Sequence, residues 1–522
     1  QLYLAPEAAL AMQASGGQLI VGKLYELSSF DVNTATDQTA WEIHALVYEP
    51  LVFLDGEFNP IPGLAESWTV SDDNLTYTFK IREGVTFHNG RELTADDVLY
   101  TMNRVLDPAT GAWWRPRLGP PAASTEEQLA ADATAVAMGT PVAAVPGVGV
   151  SFEVTGPYEV TATLTEPYGA FLQALSPTVM SIVPSVEIES GEVDLNTDLM
   201  GTGPFKVVDH AEDQRWDFGR HEGYWQDGKP MVDSLVWQIM PDDSARVAAL
   251  RSGDIHITAF ENPLMLNLAQ GDDTITIEQQ LATNTYLMFV NSAHPELADP
   301  RVRQAISKGI DRDQIVSLAM SGMANLTGPV PAGFTQLASP VADIPNYAYD
   351  PEGAKALLAE AGVETPLKIR LLILPLLQVT VPMAELMKEQ LSEIGIEIEI
   401  EQKDLATFVQ EYAVDFTAMM TITWYAGFSD PYLFLLNFTS TATGPSVGAT
   451  ETTQIDLLLE QVSGLIDLEE RKAGFTQIEH LMGEEAYFQF LASRNNFVAW
   501  RNDLLEGVTL ASAEGFGLPY WH

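Results

Sequence analysis

The run Leu46-Val47-Tyr48-Glu49-Pro50-Leu51, followed by Pro62-Gly63-Leu64-Ala65-Glu66-Ser67-Trp68, opens the part of the chain whose reading decides the fold. It continues through Asp72-Asp73-Asn74-Leu75-Thr76-Tyr77-Thr78-Phe79 to Val85-Thr86-Phe87-His88-Asn89-Gly90 and Leu93-Thr94-Ala95-Asp96-Asp97-Val98. Apolar and polar residues alternate over 75–81, the pattern of a half-buried strand. Thr94 is placed to cap a helix through Val98, Tyr100 and Met102, with Asp96 and Asp97 in the first turn where the helix dipole favours acids. Trp68, Tyr77, Phe79 and Phe87 lie on strand-periodic segments and read as core. His88 reads as a turn residue, because no second His or Cys stands near it at metal-ligand spacing.

Upstream, 17–42 mixes short apolar runs with polar turns, and 1–17 reads as an N-terminal arm or an extension foreign to the protein. Downstream, 119–149 is rich in Ala, Pro, Gly and Val and predicts one short helix within a long surface insertion. Strand patterns resume at 158–164, and Gly201-Thr202-Gly203-Pro204-Phe205 predicts a turn entering a strand. From 284 to about 484 strand and helix patterns alternate. Helices are expected at 300–320, 351–361 and 382–394, each with Pro near its first turn, and strands at 368–374 and 396–401. That alternation predicts mixed α/β lobes. A chain of 522 residues exceeds a single core of roughly 250–300 residues, so two or three lobes are expected.

Composition excludes several functions. Asp and Glu number 72 against 26 Lys and Arg, a net charge of −46, which repels nucleic acid and anionic lipid alike. There is no cysteine, hence no disulfide, thiolate metal site, cysteine nucleophile or lipid-modified cysteine in this sequence. No run of 18 apolar residues occurs, so no membrane insertion is expected, and no signal peptide is read at Gln1. The motifs G-x-x-x-x-G-K-[ST], H-E-x-x-H and G-x-S-x-G are absent, and the 8 His are scattered. No catalytic residue, metal ligand or cofactor is assigned. A carboxylate-pair glycan hydrolase is the competing class, but among 72 acids sequence proximity selects no pair.

Three further blocks join the first: Gly201-Thr202-Gly203-Pro204-Phe205 with Glu222-Gly223-Tyr224-Trp225, then Asp299-Pro300-Arg301-Val302-Arg303-Gln304-Ala305-Ile306, then Tyr349-Asp350-Pro351-Glu352-Gly353-Ala354-Lys355 with Leu357-Leu358. In order and spacing, from about 17 to about 507, the chain resembles the extracellular solute-binding proteins of the dipeptide, oligopeptide and nickel importer group (family 5). The resemblance implies an α/β, two-lobed, periplasmic-binding-protein-like fold of the large three-subdomain type, hinged between the lobes. Lobe I is expected from 1–47, 190–282 and 493–522, with 48–189 as its peripheral subdomain, and lobe II from 283–492. The crossings are expected near 284–291 and 487–497. The implied role is the substrate-binding component of an ABC importer, a monomer working outside the cytoplasm or in the periplasm. Its partners are a small-molecule solute and a membrane permease whose ATPase is a separate chain. A chemoreceptor partner that presents the same ligand is the alternative of a different class.

In the resembling dipeptide and oligopeptide binders, an Asp four residues before the Pro of an Asp-Pro or Glu-Pro motif holds the peptide's ammonium. Here the segment reads Thr423-Trp424-Tyr425-Ala426-Gly427-Phe428-Ser429-Asp430-Pro431, so Gly427 takes that position, unless Asp430 substitutes through a shifted loop. The resembling dipeptide binders also hold the peptide's C-terminal carboxylate with an Arg before a Pro; here Leu374 precedes Pro375, and Ile373, Leu376 and Leu377 supply no cation either. The nickel binders use a His near the Trp-Tyr segment, and none occurs between His294 and His480. A buried ammonium or carboxylate without its partner costs several kcal/mol, so a free dipeptide fits poorly. Trp424, Tyr425 and Phe428 are the expected aromatic wall, with Tyr286 beside the first crossing and Trp41 near the cleft. Trp113 and Trp114 are a second aromatic pair, either core and its cover or a cleft wall, with Arg115 and Arg117 beside them to meet an anionic group. The expected ligand is an uncharged or weakly charged organic solute, an oligosaccharide ahead of other small molecules and a modified peptide behind.

Overall fold

The computed structural model describes residues 16–120, 148–260, 268–377, 379–415, 417–425, 427–438, 453–506 and 508. The helix expected within 119–149, and most of 1–17, fall outside them.

The strand Thr76–Ile81 turns its apolar alternation into structure: Tyr77, Phe79 and Ile81 are buried while Lys80 is exposed. It sits in a four-stranded antiparallel sheet ordered Ala65–Val70, Thr76–Ile81, Glu159–Leu164 and Val150–Gly156. Phe79 stands in register with Trp68 on one side and Val160 on the other. Trp68 itself is only half-buried, because it lies on the edge strand of this sheet. The helix Ala95–Leu106 begins at Thr94, whose N–H donates to Asp97 Oδ2 at 3.0 Å in a capping box.

Two of the sequence blocks and the Tyr-Trp pair meet at one buried carboxylate. Glu49 is wholly buried and accepts from Thr202 Oγ1 at 2.8 Å, Tyr224 OH at 2.9 Å and Trp225 Nε1 at 3.0 Å. Burial pushes its carboxyl up to about 7, against the pull of those three donors. Gly201 and Gly203 are required by close approach: a Cβ there would stand 2.2 Å from Val47 O or 2.6 Å from Val47 C. His88 takes its place at the same junction, its Nε2 3.0 Å from Gly203 O.

The chain divides into two compact units, one of residues 1–278 and 497–522, the other of 279–496. The expected lobe boundaries were 282/283 and 492/493. The first unit also holds a seven-stranded sheet, ordered Ile275–Gln280, Asn496–Arg501, Ile257–Phe260, Gln18–Lys23, Ser234–Ile239, Arg215–Arg220 and Phe205–Ala211. Gln18–Lys23 runs parallel to Ser234–Ile239 and to Ile257–Phe260, so the start of the described chain is central in the sheet. The two crossings leave this unit from neighbouring strands, Ile275–Gln280 and Asn496–Arg501.

The second unit is a six-stranded sheet ordered Ala324–Asn325, Phe488–Arg494, Thr285–Val290, Met420–Tyr425, Leu367–Ile373 and Ile396–Gln402. Leu367–Ile373 runs parallel to both neighbours, and the remaining pairs are antiparallel. Ile369, Leu371 and Ile373 pack with Ile306, Met387 and Leu391 of the helices Pro300–Lys308 and Thr380–Glu393. Each such side chain contributes roughly 1.5–3 kcal/mol of burial free energy. The segment 300–320 is not one helix. Gly309 passes so close to Ile394 that a Cβ would stand 2.7 Å from its Cδ1, and Asp311 then caps a new turn, Arg312–Gln314.

Candidate functional site

The strand Met420–Tyr425 sorts the expected wall residues by parity. Met420 and Ile422 enter the helix-covered core, and Trp424 packs against it. Tyr286 stands opposite Trp424 in the antiparallel register and belongs to the same core. Tyr425 points to the other face, where its ring meets Phe289 at 6.2 Å, Phe438 at 5.3 Å and Phe434 at 6.4 Å. Phe428 joins that face through Phe434, at 5.9 Å. Leu374 lies there as well, packed with Leu372 and Phe408 beside Tyr412. The phenols of Tyr412 and Tyr425 are hydrogen-bonded at 3.1 Å, and burial raises the Tyr412 pKa. The expected single wall is therefore two surfaces, Trp424 with Tyr286 on one and Tyr425, Phe428 and Leu374 on the other. Trp424 is half-buried, and its Nε1 is enclosed without a hydrogen-bond partner among the described residues.

Gly427 is buried, and Asp430 does not stand as an open carboxylate. Both its oxygens lie 2.8 Å from Arg471 Nη2, and Oδ1 accepts from Tyr432 N–H at 2.8 Å. Asp430 is the N-cap of the helix Pro431–Leu435, with Pro431 at its first position. The Asp-Pro pair is thus a helix start whose charge is met inside this unit. Asp430 and Arg471 are both nearly fully buried. Arg471 was missed in the sequence; its only signal is a basic residue among the acids that open the helix Leu468–Glu485.

In the first unit, Trp41 lies on the helix Gln38–Val47, buried, its Nε1 donating to Ala35 O at 2.9 Å. Trp113 donates to the same oxygen at 2.7 Å and is half-buried, its ring 5.9 Å from that of Trp41. Trp114 is core, with no exposed area and its Nε1 on Ala174 O at 2.8 Å. Arg115 is buried too, its Nε donating to Leu106 O at the end of the helix Ala95–Leu106. Arg117 lies against both Trp113 and Trp114, at 5.3 and 5.5 Å from the rings. Of the two readings, core or cleft wall, Trp114 takes the core, and Arg115, a candidate for an anionic group, is buried beside it; indole and guanidinium each close a backbone carbonyl there.

Among the described residues no group of three or more His, Asp or Glu could hold a metal ion, and no helix is long and apolar enough to cross a membrane.

Two α/β units connected by two neighbouring crossings are the architecture of a binding protein of the solute-capturing class. Residues 59–446 match the model of the bacterial extracellular solute-binding proteins, family 5, and the chain belongs to that family. It is the substrate-binding component of an ABC importer. Probable di/tripeptide-binding protein 5 of Pseudomonas aeruginosa is 29% identical over 96% of this chain and 95% of that one. Di/tripeptide-binding protein 2 of the same species is 30% identical over 83% and 81%. Among solved structures, NikA from Brucella suis in complex with Fe(III)-EDTA superimposes with a TM-score of 0.80 over 97% of this chain and 99% of that one, at 23% identity. CtaP, an ABC transporter substrate-binding protein from Listeria monocytogenes, gives 0.79 over 94% of each chain, at 24% identity. These relatives are solute-binding transport proteins, not enzymes.

Proposed function

We propose that this chain captures an uncharged or weakly charged organic solute outside the cytoplasm, without chemical turnover, and presents it as a monomer to a permease. One observation carries the ligand class: Gly427 stands where an ammonium anchor is expected, and the nearby Asp430 carboxylate is already neutralised by Arg471. An incoming ammonium would have to compete with a buried guanidinium or remain unpaired, at a cost of several kcal/mol. Trp424, with its unmet Nε1, supplies an aromatic face and one donor, which suits a hydroxyl- or carbonyl-bearing solute. An oligosaccharide is the first candidate. Unit 2 acts as lobe II, and 48–189 acts as the peripheral subdomain of lobe I. Closure follows from population shift, since a solute that touches both lobes only when closed favours that state by the difference.

The names of the Pseudomonas aeruginosa relatives favour a second reading, a di- or tripeptide. A thermal-shift panel of dipeptides, tripeptides, oligosaccharides and other neutral solutes separates the two. A true solute at 100 times its Kd adds about 2.7 kcal/mol of stability. If free dipeptides alone give that shift, the neutral-solute reading fails. Mass spectrometry of the incubated solute should find it intact, and more than one equivalent of product would make the protein an enzyme.

A further inference from the structure

We propose that the helix Leu468–Glu485 couples the solute-binding segment to both crossings between the units, with Arg471 and Glu479 as positioning residues. This rests on reading 424–430 as part of the solute site. The buried stripe of the helix includes Arg471, Phe475, Ile478, Glu479 and Met482, the spacing of one helical face. Near the start of that stripe Arg471 grips Asp430, as described. Two turns on, Glu479 accepts from Val330 N–H at 3.3 Å and from Ser339 N–H at 3.1 Å. Ser339 Oγ and Thr476 Oγ1 add a contact at 3.2 Å. The helix therefore holds two separate pieces of chain through two buried polar side chains, Arg471 and Glu479.

The second piece, 323–339, is a strap that reaches both crossings. At its start Ala324 and Asn325 pair with Arg494 and Ser493, and Asn495 N–H donates to Met323 O at 3.4 Å. Asn325 Nδ2 also donates to Asn495 Oδ1. Further along, Gly333 lies against the other crossing, where a Cβ would stand 2.8 Å from Ala282 O. The crossings are laced to each other as well. Ser493 Oγ donates to the carbonyls of Ala282 and Asn284 at 2.8 and 2.7 Å, and Arg494 N–H donates to Asn284 Oδ1 at 3.1 Å. One strap thus touches both strands by which the chain passes between units, and one helix fixes that strap to the segment carrying Gly427 and Asp430. A packed helix with two discrete anchors is a physical route by which occupancy of the site can bias the crossings.

Amide hydrogen exchange on the full chain, with no solute added, tests this. Glu479→Ala removes both acceptor oxygens and with them the bonds from Val330 N–H and Ser339 N–H. It should raise exchange about tenfold at 279–284 and 493–497 and leave the strands Gln18–Lys23 and Ser234–Ile239 unchanged. Gly333→Ala keeps Glu479 and should loosen 279–284 alone, so the test survives if the first variant folds poorly. Arg471→Gln should raise exchange at 427–438 and also at both crossings. Unchanged exchange at the crossings in Glu479→Ala or in Arg471→Gln overturns the proposal. So does a uniform rise across 279–496, the mark of general destabilisation. The readout uses no solute, so it stands apart from the ligand class. The pocket reading fails separately, if Trp424→Ala leaves the affinity of every solute in the thermal-shift panel unchanged.

Discussion

The indoles of the two units are treated differently. In the first unit Trp41, Trp113 and Trp114 each donate to a backbone carbonyl, at 2.7–2.9 Å. In the second unit Trp424 has an enclosed Nε1 with no partner among the described residues. A buried donor left unmet costs about 1–3 kcal/mol, so a satisfied indole is core and an unmet one calls for an acceptor from elsewhere. An unmet indole alone is not enough: Trp237, wholly buried in the first unit, also lacks an acceptor among the described residues. Trp424 differs by being half-buried and three residues from Gly427, at the expected anchor position. The lesson is that aromatic content does not mark a binding surface; unfinished hydrogen bonding beside partial exposure does.

Truncation is the harshest way to break this contrast. Trp114→Ala should cost about 3–5 kcal/mol, by loss of a filled core and of the cap on Ala174 O, and should lower Tm with no specific effect on solute affinity. Trp424→Ala should cost visibly less stability in denaturant unfolding and abolish the thermal shift given by the solute. Equal stability losses, or an unchanged solute shift, would place both residues in the core.

Charge sharpens it next. Arg471→Met leaves Asp430 buried and unpaired and should destabilise the second unit by about 3–5 kcal/mol. Adding Asp430→Asn should recover much of that loss, which a double-mutant cycle would read as strong coupling. Additive losses would show that the pair is not the support described.

Each unit also buries a glutamate whose carboxyl is raised well above its ordinary value, and the pH response compares them. Burial lifts both Glu49 and Glu479 to about 7, above the ordinary carboxylate value near 4.5. A raised folded-state pKa means the folded protein binds the proton more tightly. Their contribution is thus fully present below about pH 4.5 and is lost as pH rises through about 7. Stability should fall between pH 5 and 8 by about 1–3 kcal/mol per group. Glu49→Gln and Glu479→Gln should each flatten that slope when urea midpoints are measured across the range. A slope unaltered by both variants would assign the effect to other groups.

The smallest expected change is a gain. Gly427→Asp supplies a carboxylate where the resembling peptide binders hold an ammonium, and should strengthen Ala-Ala dipeptide binding about tenfold, or 1.4 kcal/mol, by calorimetry. No gain would mean that this position does not face the solute.

Much of this was legible beforehand because it is local. Alternation wrote the strand Thr76–Ile81, Thr94 and Asp97 wrote the start of the helix Ala95–Leu106, and Asp350-Pro351 wrote that of Pro351–Glu360. The split of Trp424 from Tyr425 was legible too, since neighbours on a strand face opposite sides, although the sequence reading set them on one wall. The break at Gly309 was not, because it depends on Ile394, far along the chain. Nor was the fate of Asp430: as a string, Ser429-Asp430-Pro431 is equally a helix cap and a free carboxylate.

By itself, the order of residues determined the family, the α/β class and the absence of thiol chemistry, because these rest on short-range patterns and on composition. Only the tertiary structure decided that Glu49, Thr202, Tyr224 and Trp225 share one buried knot, and that Arg471 closes the charge of Asp430 from 41 residues away. The physical reason is that a carboxylate's role is set by which donors reach it and by how much water is left around it. Both are properties of long-range packing, which no local stretch of sequence contains.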